Sequence, residues 1–256
     1  MLITKQIPFS RADIDADWLT RVLQEAGLLR DGTVLSFSHT VIGEETGFLG
    51  EVAILDLEYS APQPACPQSL VLKIPSALKN RVFGQLMGVY ELEIRFYSDL
   101  APNLKIRTPR HYYSAMSKAN DPHKVLQQLE QLNRMPLFLI TLLGAIASFF
   151  VRLMPRRYVL LIENLKSYRL GDQSSVCSIE DAHLALNGMA LLHAQYWESD
   201  EFESLPWITS VAGASKLVQS GYKQSYNKYI KANYDALSSR QRDMLQWVSD
   251  HGVEVM

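Results

Sequence analysis

Cysteine is nearly missing from this chain. Of 256 residues only Cys66 and Cys177 carry a thiol, far apart and outside any CxxC or Cys/His cluster. That excludes a disulfide framework and a structural zinc site of the usual spacing, and makes a reduced, cytoplasmic setting the expectation. An excess of either charge is missing too. A net charge of -2 and a pI near 6.3 give no electrostatic reason to expect nucleic acid as a partner. The first residues, MLITKQIPFSRADIDADW, contain no apolar signal core, which argues against secretion. Internal repeats and low-complexity tails are absent as well.

What is present is an ordinary globular composition, 47% hydrophobic and 20% charged, in a chain long enough for one large domain or two small lobes. One segment departs from it. Met135 to Val151, MPLFLITLLGAIASFFV, is uncharged and bounded by Arg134 and Arg152. As a helix it reaches about 25 Å, short of the ~30 Å of a bilayer core. It lies between two segments that read as neighbouring strands, so a single crossing would put those strands on opposite sides of a membrane. The sequence therefore predicts a hairpin broken near Gly144 that contacts a membrane surface or a partner protein, or else packs against its own lobe.

Periodicity divides the rest. Ile14, Trp18, Val22 and Leu23 recur at helical spacing, with Gly27 as a stop. Two β-rich runs then flank Gly43, Gly47 and Gly50, a third strand covers SLVLKIP, and IRTPRHYYSAM and RYVLLIENL are two more. Helical spacing from Asn80 to Leu100 predicts one helix between the third and fourth strands. Beyond Gly171 the pattern is helical throughout: Ser178 and Asp181 open one helix, and Ser215–Leu237 and Ser239–His251 read as two others. The expected class is α+β, a five-stranded antiparallel sheet with an inserted helix followed by a helical half.

Two charges stand out. In SLVLKIP, Leu70, Leu72 and Ile74 share one face and Lys73 lies on the other with Val71. Glu93 falls within the stripe Leu86, Val89, Tyr90, Phe96, Tyr97 and Leu100, so a buried carboxylate facing Lys73 is expected, with Glu91 in solvent. His193 shares a stripe with Leu186, Met189 and Trp197 and reads as a core histidine.

LVLKIP, ELEIRFYSDLAP, YVLLIENL, RLGDQ and MALLHAQYW occur in an order that resembles the aminoglycoside phosphotransferase-like and ecdysteroid-kinase-like small-molecule kinases, over most of the chain to about Trp197. The resemblance implies a protein-kinase-like two-lobe fold. Residues 1–165 would form the nucleotide-binding lobe, with an apolar insertion over about 121–155, and 166–256 part of a helical lobe. It implies ATP and Mg2+ as cofactors and a hydroxyl of a small molecule as acceptor. Lys73 would hold the α- and β-phosphates, Glu93 would orient it, and the turn around Gly43, Gly47 and Gly50 would cover the phosphates. Glu163, Asn164 and Leu165 would be the hinge against the adenine, and Asp172 and Gln173 match the turn after it. The family's His-Gly-Asp-x4-Asn loop and metal-binding aspartate do not occur. Only HGV, His251 to Val253, stands near the end, so the catalytic aspartate is expected beyond Met256 and no metal ligand is assigned within the chain. The competing expectation is a non-catalytic nucleotide-binding or interaction module.

Overall fold

Alternation of apolar and polar residues in the first half of the chain becomes a five-stranded sheet in the computed structural model, which describes residues 7–42, 49–61, 66–76, 78–169, 171, 176–208 and 215–251. Strands β1 (Val34–Ile42), β2 (Gly50–Tyr59), β3 (Ser69–Pro75), β4 (His111–Met116) and β5 (Tyr158–Glu163) lie in the order β1-β2-β3-β5-β4, with every neighbouring pair antiparallel. Eight α-helices accompany them among the described residues: α1 (Ala16–Glu25), α2 (Leu78–Leu86), α3 (Val89–Arg95), α4 (Pro122–Arg134), α5 (Leu137–Leu153), α6 (Ile179–Tyr196), α7 (Ser215–Asn233) and α8 (Ser239–His251). The class is α+β, and no strand follows β5 among the described residues. Two compact units emerge, Met1–Ala119 with Val151–Ser199 and Asn120–Phe150 with Asp200–Met256.

In the first unit the sheet is covered on both faces. On one side α1 lays Trp18, Leu19, Val22 and Leu23 against Leu55, Leu70, Leu72, Val159 and Leu161. The Asp15 carboxylate caps this helix by accepting the Trp18 N–H at 2.7 Å, and Gly27 ends it in the left-handed region, φ +69°. On the other side Tyr90, Ile94 and Tyr97 pack on Tyr158, Leu160 and Ile162. Strand β5 thus buries both its faces, which is why YVLLI reads as an unbroken apolar run rather than an alternating one.

The predicted helix from Asn80 to Leu100 is interrupted. Gly88, at φ +70°, separates α2 from α3, and the chain then loosens through a π-helical turn at Phe96–Leu100 and tightens through a 3-10 turn at Ala101–Asn103. These breaks change the helical phase, and the expected burial of the two acids is reversed with them. The inward stripe is Tyr90, Ile94 and Tyr97. Glu91 lies next to it, 5% exposed, and is neutralised by Arg95 one turn on at 3.0 Å. Glu93, expected in the core, is about a third exposed.

Helices dominate the second unit. Tyr222 donates its hydroxyl to the Leu245 carbonyl at 3.1 Å and Tyr226 to Gln246 Oε1 at 2.7 Å, tying α7 to α8. Thr141 and Ser220 bring their hydroxyls to 3.1 Å, tying α5 to α7. The apolar run is not the predicted hairpin: one helix passes straight through Gly144. A lone glycine weakens a helix by only about 1 kcal/mol and does not by itself make a turn. Among the described residues no helix is long and apolar enough to cross a membrane.

Candidate functional site

Strand β3 lies between β2 and β5, so Lys73 has no open sheet edge along which to reach solvent. Its register sets it opposite Val52 on one side and Leu160 on the other, on the face that carries α3. There the Lys73 ammonium donates to the Glu93 carboxylate. The two side chains are 31% and 32% exposed, neither buried away from water nor free in it.

This ion pair forms part of the wall of a cavity of about 220 Å³, shared with Gly50, Val52, Tyr90 and Leu160. Gly50 opens β2 opposite Pro75, and a Cβ built there would stand 3.3 Å from the Ile74 carbonyl oxygen, so the strands approach closely at the cavity mouth. Tyr90 closes one side. Its hydroxyl donates to the Leu49 carbonyl, joining α3 to the start of β2, and its ring lies 5.2 Å from that of Tyr158. Burial holds both phenols above their ordinary pKa, so they are neutral donors here.

Glu163, Asn164 and Leu165 are not part of that wall. They lie at the other end of β5, where Glu163 pairs with Leu70, three positions along the strands from the Lys73–Leu160 pair and so roughly 10 Å away. Glu163 is fully engaged. Its N–H donates to the Arg110 carbonyl at 2.8 Å, and its carboxylate accepts from the Arg107 guanidinium at 2.7 Å and the Arg110 N–H at 3.0 Å. The Arg107 hydrogen bond, followed by that from Arg110, holds this carboxyl below the usual carboxylate range. Asn164 fixes the next step of the chain: its amide donates to Ser69 Oγ at 2.7 Å and its side-chain oxygen accepts the Lys166 N–H at 3.0 Å. The Leu165 carbonyl accepts from Tyr168. Among the described residues the backbone N–H and C=O of Asn164 and the N–H of Leu165 take no protein partner.

The structure thus brings together Lys73, Glu93 and Gly50, and leaves the Glu163–Leu165 segment at a distance along the same strands. Gly43, Gly47, Asp172 and Gln173 lie outside the described residues. His193 is not the core histidine its stripe suggested: it is exposed, as are Leu186, Met189 and Trp197, because only Tyr196 of α6 is buried. Sequence reasoning missed Tyr90, Arg107 and Arg110. The arginines flank Pro109 just before β4, and the β4–β5 pairing that carries them to Glu163 is a register, which composition does not reveal. Among the described residues no group of three or more His, Cys, Asp or Glu side chains is gathered to hold a metal ion.

No protein-family model matches the chain, and comparison with curated proteins and with solved structures likewise gives no match.

Proposed function

We propose that the sheet-containing unit binds ATP and that the protein serves transfer of its γ-phosphoryl group to a hydroxyl of a small molecule. The observation that carries the reading is the Lys73–Glu93 ion pair on the wall of the cavity below Gly50. A strand lysine held by a helix glutamate, in an antiparallel sheet with helices following, resembles the kinase-like two-lobe arrangement of the aminoglycoside phosphotransferase-like and ecdysteroid-kinase-like enzymes. Residues 1–165 would be its nucleotide lobe and 166–256 part of the second.

Bound ATP supplies the transferable phosphoryl group and, through its phosphates, ligands for Mg2+. The protein's own share is binding and orientation. Lys73 is a compact cation on a flexible stem, and Glu93 limits the directions that stem can take, so the ammonium is held where α- and β-phosphate oxygens would reach it. At about 220 Å³ the cavity is smaller than the ~300–1,000 Å³ of a whole-ligand pocket and suits the phosphate end alone. The unpartnered backbone groups of Asn164 and Leu165, roughly 10 Å along the strands, are suited to the edge of a purine. Glu163 has a different part from the one its position suggests: with N–H and carboxylate both committed, it fixes the end of β5 rather than touching the base.

Binding without transfer is the second reading. It rests on the same ion pair and cavity, which supply groups for binding a nucleotide whether or not transfer follows. Thermal unfolding with and without ATP and Mg2+ tests what the two readings share. Both expect a rise in Tm that is lost in Lys73→Met. No rise in the native protein, or an equal rise in the variant, overturns both. Release of ADP in the presence of small hydroxyl compounds then separates them.

A further inference from the structure

Helix α5 buries one large side chain and exposes most of the others. Ile140 is 2% exposed, whereas Phe138, Leu142, Ile146, Phe149 and Phe150 are between 46% and 69% exposed. These positions recur three to four residues apart and form a continuous apolar face. Single exposed leucines are unremarkable, but a patch with three phenylalanines marks a docking surface. The helix's hydroxyls do not interrupt it. Thr141 donates to the Leu137 carbonyl at 3.1 Å and Ser148 to the Gly144 carbonyl at 2.8 Å, so both are satisfied without water.

Charge identifies what covers this face. From Gln131 to Ile162 the sequence contains no Asp or Glu, while Arg134, Arg152, Arg156 and Arg157 fall within it, although the whole chain has a net charge of -2. A second copy of the chain, pairing α5 against α5, would set arginine against arginine with no acid in the stretch to neutralise them. An anionic lipid surface meets both requirements at once. Length decides the posture: 17 residues of helix extend about 25 Å, too short for a hydrocarbon core of about 30 Å.

We propose that α5 docks in the plane of an anionic bilayer surface, its phenylalanine face at the acyl boundary, with Arg134, the last residue of α4 just ahead of it, and Arg152, in its own last turn, among the headgroups. This assignment is independent of the nucleotide reading.

Flotation of the full chain with phosphatidylcholine vesicles, with and without phosphatidylserine, tests it. The protein is expected to float with the anionic vesicles and to partition much less onto the neutral ones. Phe138→Ser, Phe149→Ser and Phe150→Ser together should lower partitioning on the order of a hundredfold, and Arg134→Gln with Arg152→Gln about thirtyfold. All five side chains are solvent-facing, and circular dichroism melts check that each variant folds. Should the triple variant not fold, the arginine pair alone decides. No flotation with anionic vesicles, or flotation unchanged in the variants, overturns the proposal. So does a concentration-dependent dimer in vesicle-free solution that the serine substitutions dissolve, since that assigns the face to a second copy.

Discussion

Lys73 on the central strand β3 and Glu93 on α3, 20 positions apart in the chain, form an ion pair that is about one-third open to water. Exposure of that degree limits what the pair adds to stability, because water screens the attraction and two long side chains must be ordered to make it. Glu93→Ala should therefore lower unfolding stability by about 1 kcal/mol or less. If the pair serves to aim the ammonium, the same change should weaken ATP binding far more than it weakens the fold. Urea unfolding beside nucleotide titration measures the two effects separately; a loss of several kcal/mol with unchanged binding would make the pair structural.

Glycine positions give opposite expectations on two helices. At Gly84 an added Cβ would stand 2.6 Å from the Tyr90 ring, so Gly84→Ala must displace Tyr90 and its bond to the Leu49 carbonyl. A loss of about 1–3 kcal/mol is expected. At Gly144 nothing lies within 4 Å of the added atom, and alanine is the better helix former. Gly144→Ala should stabilise by about 0.5–1 kcal/mol. A destabilised Gly144→Ala in thermal melts would favour a turn at that position over the continuous helix.

Glu163 supplies a pH dependence whose sign is fixed. Its folded carboxyl is held below the ordinary range by the Arg107 hydrogen bond first and by Arg110 next, so the folded state binds its proton less readily than the unfolded chain. The resulting stability is fully present above the unfolded glutamate value of about 4.3 and is lost as pH falls through the folded value. Urea midpoints at pH 7 and near pH 4 should therefore drop by less in Glu163→Gln than in the native protein. An equal drop would mean that the contact with Arg107 is not maintained in solution.

Burial separates two apolar residues that look alike in sequence. Leu161 is 0% exposed between α1 and the sheet, and Leu161→Ala should cost about 2–5 kcal/mol. Phe149, 60% exposed on α5, should change stability by no more than about 0.5 kcal/mol when made alanine. Parallel denaturation curves of the two variants check the contrast.

Strands were the legible part of this sequence, because a period of two survives local irregularity: Leu70, Leu72 and Ile74 fall on one face and Lys73 on the other in both the pattern and the structure. Helical phase was less so. A single extended stripe from Leu86 to Leu100 assigned Glu93 to the core, and the left-handed Gly88 and the π-helical turn after Arg95 moved that place to Glu91. The pairing of Lys73 with Glu93 was readable even so, since it needed only that strand and helix face each other. His193 and its stripe misled for another reason: α6 carries apolar residues around most of its circumference, so periodicity does not distinguish a buried face from an exposed one. Arg107 and Arg110 could not be found at all without the β4–β5 register.

The neck between those two strands has a further meaning. The Ser117 N–H donates to the Arg157 carbonyl at 2.9 Å, and the Arg157 N–H to Ser117 Oγ at 3.0 Å, directly where β4 and β5 part. Everything from 118 to 156, α4 and α5 included, is therefore the loop of a single β-hairpin whose base is already closed by hydrogen bonds. The five-stranded sheet does not depend on what that loop contains: replacing 118–156 with a two-residue turn would leave every strand with its present neighbours, and the loss would fall on the second unit, where α5 meets α7.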